Sequence, residues 1–382
     1  MKLLLLTELK NGLPTEFKNR RGQTDYAFEP RKLPCNWQMP ESFWPLVVEA
    51  SREVASLSGR TAAIHPLLLT RHFQRREALR STKLEGTNVA ARQLFLFEFD
   101  HNTAPSTSEQ WDSKEVHNLD LALQRGCRIA REDTPLTVEL ITDLHRTLMA
   151  GLRNESKSRP GQLRDDYAHV GQYTAPPPSR VPELLQNLAD YIADPRDAFD
   201  PLVRAFIVHY QFEAIHPFND GNGRLGRVLL EMNAARWLKM KRPWFFLSDY
   251  FDGNSDEYRR RLLEVSTHSA WGDWISFCLQ GAIQTAKDSA SRVSRFVSLR
   301  KEYLGTFSGN GPKGAWRARR VIDWLFQSPV VTAPQLAKGC EIAFETAQSE
   351  IRKLVEIGIL TELDARKPKT YVAKEIIRVT YD

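Results

Sequence analysis

Residues 216–227 read His-Pro-Phe-Asn-Asp-Gly-Asn-Gly-Arg-Leu-Gly-Arg, and no other stretch constrains the folding of this chain as strongly. Before it, Val203, Phe206, Ile207, Tyr210 and Ala214 recur at helical spacing, which predicts a helix over 202–215 that buries one face. Pro217 disfavours helical geometry in the residue preceding it, so that helix must stop at His216. Val228, Leu229, Met232 and Ala235 predict a second helix starting near Gly223. Two apolar helices tied by a proline- and glycine-bearing turn point to a mainly α core.

The turn is also rich in chemistry. Gly221, Asn222 and Gly223 all tolerate left-handed backbone, so their amides can turn inward together as an anion nest. That nest sits at a helix N-terminus, where unpaired amides and the macrodipole favour negative charge. Arg224 and Arg227, three apart, lie in the first turn of the same helix, an unfavourable end for cations unless an anion offsets them. A polyphosphate would do so, because guanidinium forks match phosphate oxygens. Asp220 supplies hard oxygen ligation suited to Mg²⁺, and His216 titrates near neutrality and suits a general base. Singly, each residue has an ordinary structural reading as a helix end, turn, cap or surface charge. Their joint occurrence in one register points to transfer of a phosphorus group.

The stretch resembles the signature of the Fic family, His-Pro-Phe-x-(Asp/Glu)-Gly-Asn-Gly-Arg-x-x-Arg, and matches it at every specified position. The resemblance implies a helical Fic core that transfers AMP from ATP to a hydroxyl side chain (Ser, Thr or Tyr) of a target protein or of the chain itself. It makes His216 the base and Asp220 the Mg²⁺ ligand. Gly221, Asn222 and Gly223 become the phosphate nest, with Asn222 touching phosphate, Arg224 and Arg227 the holders of the distal phosphates, and Phe218 the anchor of the loop. Kinase-like relatives carry lysine where this chain has Gly223, which favours nucleotidyl transfer here.

A second motif, Ser81-Thr82-Lys83-Leu84-Glu85-Gly86, resembles the family's inhibitory element, (Ser/Thr)-x-x-x-Glu-(Gly/Asn). A helix is expected up to Leu84, with Gly86 as its stop, leaving Glu85 at a negative helix end that calls for a cation. The resemblance names Arg227 as that cation, with autoinhibition as the consequence; related proteins with this element can also remove AMP. A third segment, residues 170–182, breaks the helical pattern with glycine, β-formers and a proline run. In Fic proteins the corresponding flap is a short hairpin that docks the target chain by strand addition, and Val170, Gly171, Gln172 and Tyr173 fall there.

At 382 residues and 42% hydrophobic composition the chain has room for two or three well-cored domains. Expected are an N-terminal extension with the inhibitory helix (1–107), a Fic core (108–304), a glycine-rich linker (305–314) and a small C-terminal domain (315–382). The extension reads as proline-rich extended sequence with helices over 43–57 and 66–84, and the core includes helices over 138–149 and 258–287. In the last domain, helices over 315–326, 333–337 and 344–357, a turn at Gly339 and a hairpin over 359–372 with a basic tip at 366–369 resemble a winged helix. The net charge of +6 and pI near 9.1 suit DNA there, yet the third helix carries Glu345, Glu350 and Glu356 against Arg352 and Lys353. DNA and a protein therefore stay open as its partner, and a DNA-binding regulator that uses the Fic core as a nucleotide sensor is the alternative to an enzyme. Fic proteins often dimerise, though nothing in the sequence fixes an interface. The scattered Cys35, Cys127, Cys278 and Cys340 suggest reduced thiols, and no apolar run reaches signal-peptide or membrane-span length, so a cytoplasmic protein without membrane contact is expected.

Overall fold

The computed structural model describes residues 10–19, 22–61, 66–99, 105–194, 199–240, 246–307, 311–363 and 368–381. Strands β1 (Gly12–Lys18) and β2 (Thr24–Pro30) form an antiparallel hairpin, followed by helices α1 (Trp44–Thr61), α2 (Pro66–Leu84) and α3 (Ala91–Phe99). Then come α4 (Ser108–Arg131), α5 (Val138–Met149), the one-turn α6 (Glu155–Ser158), the strand pair β3 (His169–Val170) and β4 (Tyr173–Thr174), and α7 (Val181–Ala193). Helices α8 (Pro201–Ile215), α9 (Asn222–Trp237), α10 (Ser248–Gly253), α11 (Ser255–His268) and α12 (Trp271–Thr306) complete the central body. The chain ends in α13 (Gly311–Gln327), β5 (Val330–Thr332), α14 (Ala333–Cys340), α15 (Phe344–Glu356), β6 (Thr361–Leu363), β7 (Thr370–Val372) and α16 (Lys374–Tyr381). The last three strands form one antiparallel sheet in the order β5-β7-β6. The fold is mainly α, as the sequence indicated.

Helix α8 is the central element. Asp200 caps it through a bond from the Leu202 amide (2.9 Å), Pro201 opens it, and His216 closes it in the left-handed region (φ 48°). The sequence suggests one buried face. In fact α8 is buried nearly all round, because α7, α9, α11, α12 and β2 surround it. Its run of Val203-Arg204-Ala205-Phe206-Ile207-Val208 is core on every side, which a one-sided periodicity hides. Helix α9 lies between α8 and α4, and α2 covers it from the other side while also touching α10, α13 and α16.

Other expectations need correction. The helix expected over 258–287 is broken: Ser269 adopts φ 56° and ends α11, and α12 restarts at Trp271. Gly339 lies inside α14 rather than in a turn, packed so closely on the Trp324 ring that a Cβ would lie 2.5 Å from it. Where a glycine-rich linker is expected over 305–314, Gly305 and Thr306 close α12 and Gly311 opens α13; residues 308–310 lie outside the described residues. The hairpin tip at Arg366 and Lys367 also lies outside them, and Lys369 is tied to Glu362 at 2.9 Å.

Among the elements not anticipated are the β1–β2 hairpin and α16. The latter places Tyr381 on α2, where the His72 Nδ1 accepts from the Tyr381 hydroxyl (2.8 Å) and its Nε2 donates to the Phe326 carbonyl. Burial drives the His72 pKa down to about 3, so this clamp stays neutral at ordinary pH.

Candidate active site

The site forms where α8 ends and α9 begins. Arg164, which sequence reasoning does not single out, fixes that junction. Its guanidinium donates to the carbonyls of His216 (Nε, 2.8 Å), Asp166 (Nη1, 2.9 Å) and Pro176 (Nη2, 2.6 Å), and its amide donates to the Pro217 carbonyl (3.0 Å). A buried arginine spent on carbonyls holds a loop, because each bond is charge-assisted and the guanidinium is largely shielded from water. A long buried side chain between two loops carries no periodic signal in sequence.

Phe218 is completely buried, contributing roughly 2 kcal/mol by its removal from water, and stacks on His145 at 3.8 Å between ring centres. His145 Nδ1 accepts from the Gly161 amide (2.9 Å), which leaves Nε2 to donate to the Asp220 carbonyl (3.0 Å). Burial pushes the His145 pKa down to about 4, so it acts as a neutral strut. Asn222 is buried as well: its Oδ1 accepts from the Phe218 amide (2.9 Å) and its Nδ2 donates to the Phe218 carbonyl (2.8 Å). The Asn222 side chain thus braces the loop, while its backbone amide lies at the start of α9.

Only Gly221 of the three nest residues has left-handed backbone (φ 77°), and a Cβ there would lie 2.7 Å from the Met149 sulfur. Asn222 and Gly223 are already helical. The open amides at this turn are thus those of the α9 N-terminus itself, whose first turn Gly221 starts. Gly223 matters differently: a Cβ on it would come within 2.3 Å of Glu85 Oε1.

Both arginines are almost fully buried, Arg224 at 4% exposure and Arg227 at 2%. Arg224 meets Glu115 (3.2 Å) and Asp220 Oδ1 (3.1 Å), while its Nε has no partner. Arg227 Nε donates to Ser81 Oγ (2.7 Å), and its Nη2 donates to the Ser81 carbonyl (2.9 Å) and to Glu85 Oε1 (2.7 Å). The anions that offset these cations at the wrong helix end are carboxylates of the chain. Burial would raise the Glu85 pKa, but the Arg227 charge prevails and holds it below its ordinary value. Gly86 stops the segment at φ 96°, and Arg259 Nη2 donates to the Leu84 carbonyl (3.2 Å).

His216 is pushed down to a pKa of about 4 by burial, reinforced by the Arg164 charge, so its imidazole is neutral and able to accept a proton. Next to it opens a cavity of about 340 Å³, walled chiefly by apolar atoms of Val170, Tyr173, Tyr210, Leu262 and Leu263 and also reached by Arg259. The β3–β4 hairpin forms one wall, with Gly171 at φ 57° and Gln172 exposed in its turn; the Tyr173 hydroxyl donates to the Ala214 carbonyl (2.6 Å). Glu213, one turn before His216, also lines the cavity, and burial raises its pKa to about 8. Asp220 is half-exposed and only its Oδ1 is engaged by the chain. Among the described residues no three His, Cys, Asp or Glu side chains gather as a metal cage. One open carboxylate still fits Mg²⁺ that arrives with phosphates, because that ion commonly keeps waters and takes one or two protein carboxylates.

Residues 135–234 match the model of the Fic/DOC family, and residues 44–128 match that of the Fic/DOC family N-terminal region. Both stretches belong to the Fic/DOC family. A protein adenylyltransferase fic-1 of Caenorhabditis briggsae is 33% identical over 128 residues, 33% of this chain and 25% of that protein. A probable protein adenylyltransferase of Aquifex aeolicus is 41% identical over 160 residues, 42% of this chain and 47% of that protein. This Fic chain thus spans between a quarter and a half of the length of these curated relatives. Its fold is similar to a Fic family protein from Desulfovibrio desulfuricans G20 (TM-score 0.54, 20% identity, 88% of this chain and 98% of that one). Fic-1 of Caenorhabditis elegans, residues 134–508, gives a TM-score of 0.53 at 22% identity over 68% of this chain and 74% of that one. No helix among the described residues is long and apolar enough to cross a membrane.

Proposed function

We propose that this Fic protein is an autoinhibited adenylyltransferase that moves AMP from ATP to a hydroxyl side chain of a protein. The observation that carries this reading is Arg224, buried with an unpartnered Nε at the N-terminus of α9, next to Asp220 and the open amides. A buried guanidinium with a spare donor beside a helix N-terminus is built for phosphate oxygens. The named activity of the relatives agrees with it.

In this reading the triphosphate lies along the start of α9, and the base and ribose enter the apolar cavity beside His216. The target segment pairs with the β3–β4 hairpin through backbone bonds, with Val170 and Gln172 exposed to meet it. His216 removes the proton from the hydroxyl as its oxygen attacks the α-phosphorus. The bond to the β-phosphate oxygen breaks, and pyrophosphate leaves toward Arg224 and Arg227. Asp220 would hold Mg²⁺, which supplies charge neutralisation of the phosphates when bound. The chain's part is positioning and electrostatics. Glu85 competes for Arg227, so ATP enters without its full phosphate clamp, and the protein rests in a low-activity state.

Because Arg224 is proposed to hold phosphate, Arg224→Ala is expected to weaken ATP binding by roughly tenfold or more and to lower transfer with it. Titration calorimetry with Mg²⁺ and ATP measures the first; unchanged affinity would remove Arg224 from the site. The neutral state of His216 sets the pH profile. In Glu85→Gly protein, kcat/KM for ATP is expected to stay level from about pH 5 upward and to fall as pH drops through about 4, where the imidazole gains its proton. A midpoint near the ordinary histidine value of about 6.5 would take the buried base out of the mechanism.

For the C-terminal elements we propose a winged helix that docks a protein. Glu350 on α15 holds Arg317 of α13 (2.9 Å) and Lys353 (3.3 Å), so these two cations are spent internally, while Phe344, Val355 and Ile357 stand exposed.

A further inference from the structure

Below the Arg227–Glu85 contact lies a pair of acids that the proposed chemistry does not use. Glu77 sits on α2 one turn before Ser81, and Glu231 sits on α9 one turn after Arg227. The two helices therefore face each other as a ladder: Glu77 against Glu231, Ser81 against Arg227, and Glu85 against Arg227 and Gly223. The lowest rung is almost dry, with Glu77 at 3% exposure and Glu231 at 2%.

The hydrogen bonds divide the roles. Glu77 accepts from the Ser248 amide (3.2 Å) and from the Ser248 hydroxyl, one on each oxygen. Glu231 has no N–H or O–H donor in reach of either oxygen, and the carboxyl it faces is Glu77. Two ionised carboxylates cannot share a dry site, since each would pay full desolvation and repel the other. A single proton resolves both problems: Glu231 as the acid donates to Glu77 as the carboxylate. Around the pair, α9 adds the Arg227 charge, α4 adds Cys127, whose thiol burial keeps neutral by raising its pKa to about 12, and α10 adds Ser248.

We propose that Glu77 and Glu231 share one proton and that this carboxyl pair is a positioning latch, closing α2 onto α9 so that Ser81 and Glu85 reach Arg227. The inference rests on α2 as the inhibitory helix, but the pair itself is independent of the reaction catalysed. Its pH sign follows from burial, which raises both acids above their ordinary value. Closure binds a proton that the open, hydrated helix releases, so the latch is complete below the ordinary glutamate pKa of about 4.3 and weakens as pH rises toward the raised value. Over that window the opening constant of α2 gains roughly tenfold per pH unit.

Hydrogen exchange of the full chain, followed at residues 77–86 and corrected for the chemical exchange rate, tests this without any assay of AMP transfer. Measured between about pH 6 and 8, wild-type opening should rise with pH, by up to tenfold per unit, whereas Glu231→Gln, whose amide donates to Glu77 at every pH, should stay flat. Glu213 faces Arg227 from α8 and titrates near the top of this window, but it is intact in both proteins and cannot produce the difference. Infrared difference spectra should show the carbonyl stretch of one protonated carboxyl at neutral pH in wild type that Glu231→Gln lacks. Equal pH slopes in the two proteins, or no protonated carboxyl lost, would overturn the latch. Failure of AMP transfer would leave both readouts standing.

Discussion

Glu85→Gly protein is expected to transfer AMP roughly 5- to 150-fold faster than wild type, a range set by the coupling energies of such internal competitions, about 1–3 kcal/mol. The contact concerned is short and nearly dry on one side: Arg227 is 2% exposed and reaches Glu85 Oε1 at 2.7 Å. Removing the carboxylate leaves Arg227 with its two Ser81 bonds and a buried charge without its strongest partner. The guanidinium then gains most by meeting a distal phosphate, so ATP affinity should rise along with turnover. The same substitution should lower Tm by a few degrees in the absence of ATP, and ATP should restore it. Parallel assays on one substrate with thermal unfolding, with and without Mg²⁺ and ATP, measure both effects. Equal transfer rates for the two proteins would separate Glu85 from inhibition.

In the Glu85→Gly background, His216→Ala is expected to cut transfer by about 10²- to 10⁴-fold while ATP affinity changes little. The reason is a division of labour within one residue. The His216 side chain is the neutral base, whereas its backbone closes α8 and gives its carbonyl to Arg164. Alanine at φ 48° adds strain on the order of 1 kcal/mol, so a loss could reflect a distorted loop. Asparagine accepts that backbone more readily, and His216→Asn should be as inactive as the alanine variant. Transfer retained in either variant, with ATP bound normally, would exclude His216 as the base.

The parts of this site that could be read in sequence are those that depend on short-range order. Proline after His216 sets a helix end, glycine at 221 sets a left-handed start, and two arginines at the cationic-averse end of α9 call for anions. What sequence does not carry is burial from several sides and pairing across long separations. Arg164 reaches a loop some fifty positions onward, and His145 stacks on Phe218 across a still longer span. Asn222 illustrates a role that only the folded context supplies: its side chain braces Phe218 across the turn. The α11–α12 break at Ser269 was hidden because a single left-handed residue interrupts an otherwise continuous helical pattern. Helix α16 was missed for another reason: a short amphipathic end segment gains its helicity from docking on α2, α3 and α12 rather than from its own propensity.

The central claim is that the phosphorus attacked at this site is the α-phosphorus of ATP. It is tested most directly by giving Glu85→Gly protein Mg²⁺ and ATP labelled either on the α- or on the γ-phosphate, adding host lysate, and reading protein-bound label by gel. The account predicts bands from the α-label alone, lost when His216→Ala is added. Bands from the γ-label, or none from either in protein that is folded and binds ATP, would contradict it.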